Sequence, residues 1–137
     1  MTHFVSTNPA TGETVWEGEA ASVEQVGAAV EAARSAFPDW ADRPRQDRID
    51  AVKRYQAVLK ERAPEMAEAI SRETGKALWE TKTELASMAG KVDISIRAYN
   101  ERPGERSNDT AFGRAVLRPR PHGVSAVLGP FNFPGHL

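Results

Sequence analysis

The residues best suited to chemistry form a short turn near the end of the sequence. Residues 129–136 read Gly-Pro-Phe-Asn-Phe-Pro-Gly-His, so two prolines and two glycines constrain the backbone around one amide side chain, that of Asn132. An amide held in this way can donate a hydrogen bond to an oxygen that gains negative charge during a reaction, and losing such a donor costs about 2.7–4 kcal/mol of transition-state stabilisation. Asn132 also fits a structural role as the cap of a helix or turn. From the residues alone, the structural role is favoured.

Other groups that could act on a substrate are scarce. The sequence contains no cysteine, which excludes a thiolate nucleophile, a disulfide and a thiolate metal site within this chain. Glu73 and Glu80 lie on the predicted surfaces of helices, where a solvated charge is expected and not a catalytic base. His122 is expected in a surface turn, and His136 has no partner at a spacing typical of metal ligands.

The segment that precedes the turn is apolar. Residues 124–128 read Val-Ser-Ala-Val-Leu, and this lack of alternation is typical of a strand covered on both faces in a parallel α/β sheet. A buried helix segment is the alternative, but five residues ahead of Gly129-Pro130 are too few for one. Because ligands of open α/β sheets bind beyond the carboxyl ends of the strands, we expect Asn132 at such an edge.

A β-hairpin and two helices are predicted at the start of the chain. The hairpin covers residues 4–18, with the turn-forming residues 8–12 between its strands. The first helix begins at Ser22, and Gln25 stands at the position that completes a capping box. Its apolar stripe is expected to end at Pro38 and to need a sheet that is absent from this chain to cover it. The second helix starts near Arg45, and its predicted buried face is Ile49, Val52, Tyr55, Val58 and Leu59.

Two more helices and a strand are predicted before the apolar segment. The third helix has Pro64 in its first turn and ends at Gly75, which suits a left-handed cap. The fourth runs from about residue 78 to about residue 100 and ends at Pro103-Gly104. Residues 105–114 are expected to be irregular. Residues 115–117 begin a strand that continues into the basic, proline-spaced residues 118–121.

Composition limits the classes of function. The net charge of −1 gives no reason to expect nucleic acid or an anionic membrane as a partner. The apolar runs are far shorter than a bilayer span. Residues 1–4 lack the basic start and apolar core of a secretion signal, so a cytoplasmic location is expected.

Four motifs, in register along the chain, resemble the aldehyde dehydrogenase superfamily. The segment from Gly123 through Pro134 is similar to the strand of that family that leads into a Pro-Trp-Asn-Phe-Pro turn, although Phe131 stands in place of Trp. The other three motifs are the Asn-Pro-Ala-Thr-Gly-Glu turn at residues 8–13, the helix segment at residues 32–37 with Trp40, and Glu-Thr-Gly-Lys at residues 73–76.

Three stretches resemble one branch of the family more closely. They are residues 95–99, 118–123 and 129–137, which are similar to the succinylglutamate-semialdehyde dehydrogenases. That resemblance implies oxidation of N-succinylglutamate 5-semialdehyde to N-succinylglutamate with NAD, with NADP possible, in arginine catabolism. A dehydrogenase of another aldehyde and a non-catalytic helical interaction module are the alternatives.

The resemblance also implies roles for residues of the turn. Asn132 matches the asparagine that stabilises the oxyanion of the thiohemiacetal. Leu128, Gly129 and Phe131 match positions at the nicotinamide-ribose end of the cofactor site, where Phe131 lacks the indole N–H of the usual Trp. No metal is implied. The implied partners are a small-molecule aldehyde and, for the parent enzyme, further copies of itself in a homo-oligomer.

The implied fold is α/β, as the N-terminal part of the aldehyde dehydrogenase fold. It comprises a β-hairpin, four helices, an oligomerisation-type strand and the first buried strand of a Rossmann-like sheet. Residues 1–137 are expected to be an incomplete part of the cofactor-binding domain, with residues 105–121 in the oligomerisation sheet. Because the family attacks its aldehyde with a cysteine, this chain alone is expected to be an inactive fragment. Exposed strand edges are expected to make it prone to aggregation.

Overall fold

Along the chain, a group of four helices lies between two small hairpins. The computed structural model describes residues 2–102 and 106–136. Within these residues the order of elements is β1 (His3–Thr7), β2 (Thr14–Glu19), α1 (Val23–Asp42), α2 (Arg45–Glu61), α3 (Ala63–Thr74), α4 (Leu78–Glu101), β3 (Arg106–Thr110) and β4 (Gly113–Leu117). The predicted α/β class, first hairpin and four helices are confirmed.

The first hairpin forms around its predicted turn. Strands β1 and β2 pair antiparallel, and the backbone N–H of Ala10 donates to the Asn8 side-chain oxygen at 2.9 Å. Gly12 has a φ of +77°, a left-handed conformation that glycine adopts at little cost. The turn therefore owes its shape to the asparagine and the glycine of the predicted motif.

Helix α1 begins at the predicted capping box but extends beyond the predicted end. Ser22 accepts from the Gln25 N–H at 3.2 Å, and the Gln25 side chain accepts from the Ser22 N–H at 2.8 Å. Pro38 lies inside the helix, so the prediction that the helix ends there is wrong. Its last turn is stabilised by Arg48, which donates to the carbonyl oxygens of Ala41 at 3.0 Å and Arg43 at 2.5 Å.

The apolar stripe of α1 is uncovered, as expected. No residue of this helix is buried, and Val23, Val26 and Val30 are exposed. An apolar stripe becomes buried only when another element packs on it, and no described residue covers this one.

Helices α3 and α4 form the core. Ala67 and Ile70 of α3 pack with Leu85 of α4, and the residues around them are Ala63, Met66 and Met88. Pro64 lies in the first turn of α3, as predicted, and Gly75 caps its end with a φ of +74°.

Helix α2 joins this core through a polar side chain that its apolar pattern does not reveal. Gln56 is buried and donates to the Ala89 carbonyl at 2.8 Å and to the Asp93 carboxylate at 2.7 Å. Lys53 also pairs with Asp93. Of the predicted buried face of α2, only Leu59 is buried, so that prediction is mostly wrong. The contact with α4 is made through Gln56, one residue after the predicted Tyr55.

A second hairpin follows the helices. The strand predicted at residues 115–117 is confirmed within β4. The prediction that residues 106–114 are irregular is wrong, because β3 pairs with β4 from Arg106 opposite Leu117 to Thr110 opposite Gly113. Every residue of this hairpin is exposed. Helix α4 stops at Glu101, and the predicted end at Pro103-Gly104 and residue 105 lie outside the described residues.

The predicted buried strand at 124–128 is not formed. Residues 118–130 have no regular structure, and residues 124–128 are exposed. A strand needs a neighbour for its backbone hydrogen bonds, and no described strand pairs with this segment. The expected continuation of β4 into residues 118–121 is absent for the same reason.

Candidate active site

A buried ion pair lies at the corner between α3 and α4. The Lys76 ammonium is 3.0 Å from one carboxylate oxygen of Glu84, and only 14% of the lysine side chain and 2% of the glutamate side chain are exposed. The other ion pairs between described residues have partners that are about half exposed or more. Lys76 and Glu84 therefore interact where water screens them least.

Glu84 also holds the turn that carries Asn132. Its second carboxylate oxygen accepts a hydrogen bond from the Gly135 backbone N–H at 3.0 Å. Burial raises the pKa of Glu84, but hydrogen bonds from Lys76 and from the backbone N–H groups of Gly135 and His136 outweigh it, so the pKa lies below its ordinary value. Glu84 thus remains a carboxylate and joins α4 to the turn.

Aromatic and apolar contacts also hold the turn in place. The Lys76 ammonium lies 3.7 Å from the centre of the Phe133 ring, a cation–π contact. The His136 ring meets Phe133 edge to face, with 6.4 Å between ring centres. A Cβ atom on Gly135 would overlap the Met88 side chain. With Met88 in its present position, only a residue without a side chain fits here.

Local structure fixes the position of Lys76. Gly75 ends α3 in the left-handed conformation, and its N–H donates to the Ser71 carbonyl at 2.9 Å. The Ser71 hydroxyl donates to the Lys76 carbonyl at 2.6 Å. On the other side, Pro9 of the first hairpin turn packs against Gly75. Three motifs that are far apart in the sequence, at residues 8–13, 73–76 and 129–136, therefore meet at this corner.

The predicted site residues in and before the turn are exposed to solvent. Asn132 is exposed, and its side chain forms no hydrogen bond with the described residues. Within the described residues, the Asn132 side chain therefore caps no helix or turn, although that role is favoured from the residues alone. Leu128 and Phe131 are 95% and 91% exposed, and Gly129 backs onto the Pro134 carbonyl.

Two residues of the site escape a reading of the sequence. Lys76 belongs to a recognised motif but receives no role from it, and Glu84 is not singled out at all. A signal for Glu84 does exist, since it lies on the same face of α4 as Thr81, Leu85 and Met88. A carboxylate within such a face is buried only when it is paired.

The whole chain matches a known protein family. The model of the aldehyde dehydrogenase family matches residues 1–137. The chain belongs to the aldehyde dehydrogenase family. This membership confirms the resemblance carried by the four motifs.

Curated aldehyde dehydrogenases of one kind are similar to this chain. The N-succinylglutamate 5-semialdehyde dehydrogenase of Caulobacter sp. (strain K31) is 67% identical over 132 residues, which cover 96% of this chain. The enzyme of the same name from Paraburkholderia xenovorans is 58% identical over 134 residues, which cover 98% of it. The matched residues are 27% and 28% of those relatives, so the chain spans little more than a quarter of their length.

A solved aldehyde dehydrogenase has the same arrangement of elements. The protein from Sinorhizobium meliloti 1021, described as a methylmalonate-semialdehyde dehydrogenase and crystallised with NAD, is 29% identical with a TM-score of 0.88. The match covers 98% of this chain and 28% of that protein. The predicted fold, as the N-terminal part of the aldehyde dehydrogenase fold, is thereby confirmed.

The other titratable residues that the structure describes form no metal site. Glu73 is exposed and Glu80 is half-buried on a helix surface, as expected, and His122 is exposed. Within residues 2–102 and 106–136, no group of three or more His, Asp or Glu side chains could hold a metal ion. None of the helices described is both long and apolar enough to cross a membrane.

Exposed apolar side chains lie beside Asn132 in the sequence. Leu128 and Phe131 are exposed, and Gly129 between them has no side chain. Apolar side chains are chemically compatible with an apolar ring such as nicotinamide. The sequence contains no glycine-rich phosphate turn of the form G-x-G-x-x-G, so these residues could meet only the nicotinamide end of a dinucleotide.

Proposed function

We propose that this chain is the N-terminal part of an NAD-dependent aldehyde dehydrogenase that oxidises N-succinylglutamate 5-semialdehyde to N-succinylglutamate in the cytoplasm. The supporting observation is the 67% identity with the Caulobacter enzyme of that name, which extends over 96% of this chain. The solved methylmalonate-semialdehyde dehydrogenase is much less similar, at 29%, so the branch follows the curated relatives.

In this proposal Asn132 stabilises charge on the substrate. Its side-chain NH2 donates a hydrogen bond to the aldehyde oxygen as that oxygen becomes negative. The support is that the amide is exposed and bonded to no other described residue, while the backbone beside it is held by Glu84. A donor fixed before the reaction needs little reorganisation, which is the basis of electrostatic catalysis.

Leu128, Gly129 and Phe131 would receive the nicotinamide end of NAD. The bound cofactor supplies a hydride acceptor. The two apolar side chains would exclude water from one side of the ring, and Gly129 would allow it to approach the backbone. Phe131 provides an apolar face but no N–H donor, unlike the Trp in the family motif.

The exposed second hairpin has a place in the same proposal. Residues 105–121 contribute to a sheet between subunits of a homo-oligomer, and the rest of the chain forms part of the cofactor-binding domain. Support comes from β3 and β4, which pair with each other and with no other strand that the structure describes, and which are exposed along their whole length. Unpaired strand edges of this kind readily accept another strand.

The test uses a full-length form of the enzyme. We define this form as a chain that carries residues 1–137 and continues to the length of the curated relatives, for example by joining them to the remaining part of the Caulobacter enzyme. Formation of NADH or NADPH is measured with N-succinylglutamate 5-semialdehyde, methylmalonate semialdehyde and a simple aliphatic aldehyde, each with NAD and with NADP. The highest kcat/KM is expected for the first substrate with NAD, and a clear preference for another aldehyde contradicts the assignment.

Variants of Asn132 test the role of the amide. Asn132→Ala is expected to lower kcat by about 10²- to 10³-fold, since one oxyanion donor is lost. Asn132→Asp keeps the shape but replaces the donor with a negative charge, so its loss should be at least as large. Gln46→Ala removes an exposed amide from the surface of α2 and should leave kcat unchanged. A wild-type kcat for Asn132→Ala would rule out the oxyanion role.

A further inference from the structure

We propose that Lys76 and Glu84 are positioning residues that fix the path of the 131–136 turn and thereby aim the Asn132 amide. The inference rests on the proposed role of Asn132 and adds two residues to which the family motif gives no function. Neither side chain is placed near the substrate. Both would act through the backbone and ring of the turn.

The first step is geometric. Glu84 uses one carboxylate oxygen for Lys76 and the other for the Gly135 N–H, each at 3.0 Å. The Glu84 side chain is almost completely buried, so water does not compete for these bonds. One rigid group on α4 therefore fixes the backbone three residues beyond Asn132.

The second step concerns Phe133, the residue that directly follows Asn132. The Lys76 ammonium lies over the Phe133 ring at 3.7 Å, and Phe133 follows Asn132 directly. Lys76 is itself held by the left-handed Gly75 and by the hydrogen bond from Ser71 to its carbonyl. The two contacts thus restrain the turn at residues 133 and 135, immediately after the amide that they would aim.

The third step is that, among the described residues, nothing holds the Asn132 side chain itself. Residues 124–130 form no strand, and the Asn132 side chain makes no hydrogen bond with the described part of the chain. Restraint on the N-terminal side of Asn132 is therefore weak in this structure. A misplacement of about 1 Å at a reacting group can lower a rate by about 10²-fold. Loss of the restraint by Lys76 and Glu84 should therefore be visible in kcat.

The test is a double-mutant cycle in the full-length form. Lys76→Met keeps the length of the side chain but removes the ammonium, and should lower kcat by about 10- to 100-fold while leaving the KM for NAD within about threefold. In the Asn132→Ala background the same change should cost less than about threefold, because the amide that Lys76 helps to aim is gone. Lys76→Arg, which retains the charge and can lie over Phe133, should recover much of the rate.

A matched control separates aiming from general stability. Lys53→Met removes the ammonium from another lysine–carboxylate pair between helices, with Asp93, and should leave kcat unchanged in both backgrounds. Additive losses for Lys76→Met and Asn132→Ala, or a wild-type kcat for Lys76→Met, would overturn the positioning role of Lys76 while leaving the proposed function intact. A wild-type kcat for Asn132→Ala would instead rule out the oxyanion role on which this inference rests.

A further variant applies if Lys76→Met does not fold. Phe133→Leu removes the ring beneath the ammonium but leaves the buried ion pair in place. It should lower kcat less than Lys76→Met is expected to, and its effect should also shrink in the Asn132→Ala background. Full additivity of Phe133→Leu with Asn132→Ala would contradict the inference in the same way.

Discussion

Pro9 lies directly against Gly75, so the first hairpin turn is packed on the end of helix α3. A Cβ atom on Gly75 would come within 2.7 Å of the Pro9 ring, and Gly75 has a φ of +74°. Two separate constraints, backbone conformation and space, therefore require glycine at the residue before Lys76.

Gly75→Ala is expected to destabilise the full-length form. A non-glycine residue in the left-handed conformation costs about 1–2 kcal/mol, and the contact with Pro9 adds to that cost. The urea concentration at the midpoint of unfolding, followed by circular dichroism, measures the effect. Gly90→Ala is the matched control, because Gly90 lies within α4 with open space around it and should gain about 0.5–1 kcal/mol. Equal midpoints for the two variants would contradict the expectation.

Gln56→Ala is expected to loosen α2 from α4. The change removes both donors to Ala89 and Asp93 and leaves a small cavity at a buried position. We expect a loss of about 1–3 kcal/mol in the free energy of unfolding. The exposed Gln46→Ala should change it by less than about 0.5 kcal/mol. If Gln56→Ala unfolds at the same urea concentration as Gln46→Ala, the contact does not contribute to stability.

The stability of the corner is expected to depend on acid pH. The pKa of Glu84 is lowered from its ordinary value of 4.5 in the folded protein. Its contribution is therefore fully present above that value and is lost as the pH falls through the lower pKa of the folded state. Midpoints of urea unfolding, measured from neutral pH to about pH 3, should fall more steeply for the wild type than for Glu84→Gln. Parallel curves would show that Glu84 is not held as described.

Residues 1–137 expressed alone are expected to be inactive and to self-associate. They contain no cysteine to attack an aldehyde, and they expose the stripe of α1 and the whole of Phe112. NADH formation above background with N-succinylglutamate 5-semialdehyde would contradict the first part. Light scattering after gel filtration tests the second, and a monodisperse monomer with a cooperative melt would contradict it.

Local signals in the sequence predict most of the elements. Ser22 with Gln25, Pro64 and Gly75 each act through the backbone next to them, and each lies where it was expected. Pro38 misleads because a proline removes only its own hydrogen bond, and the donor that stabilises the last turn of α1, Arg48, comes from another helix. Such support depends on tertiary contacts that no local pattern contains.

The candidate site divides in the same way. Asn132 and its neighbours can be found from a motif, because the turn is written in consecutive residues. Glu84 lies 51 residues before Gly135 along the chain, and only the packing of α4 against the turn reveals their contact. The strand expected at residues 124–128 illustrates the converse, since its apolar pattern describes a sheet whose other strands are not among the described residues.

The unpaired segment at residues 124–128 also has a consequence for biosynthesis. A ribosome adds about 5–20 residues per second, so in a protein of the relatives' length tens of seconds pass between synthesis of this segment and of the last residues. Helices α2 to α4 can pack during that time because their contacts are already available. The apolar segment finds no partner strand among the described residues, so its backbone N–H and C=O groups stay open to water or to any other strand during that time.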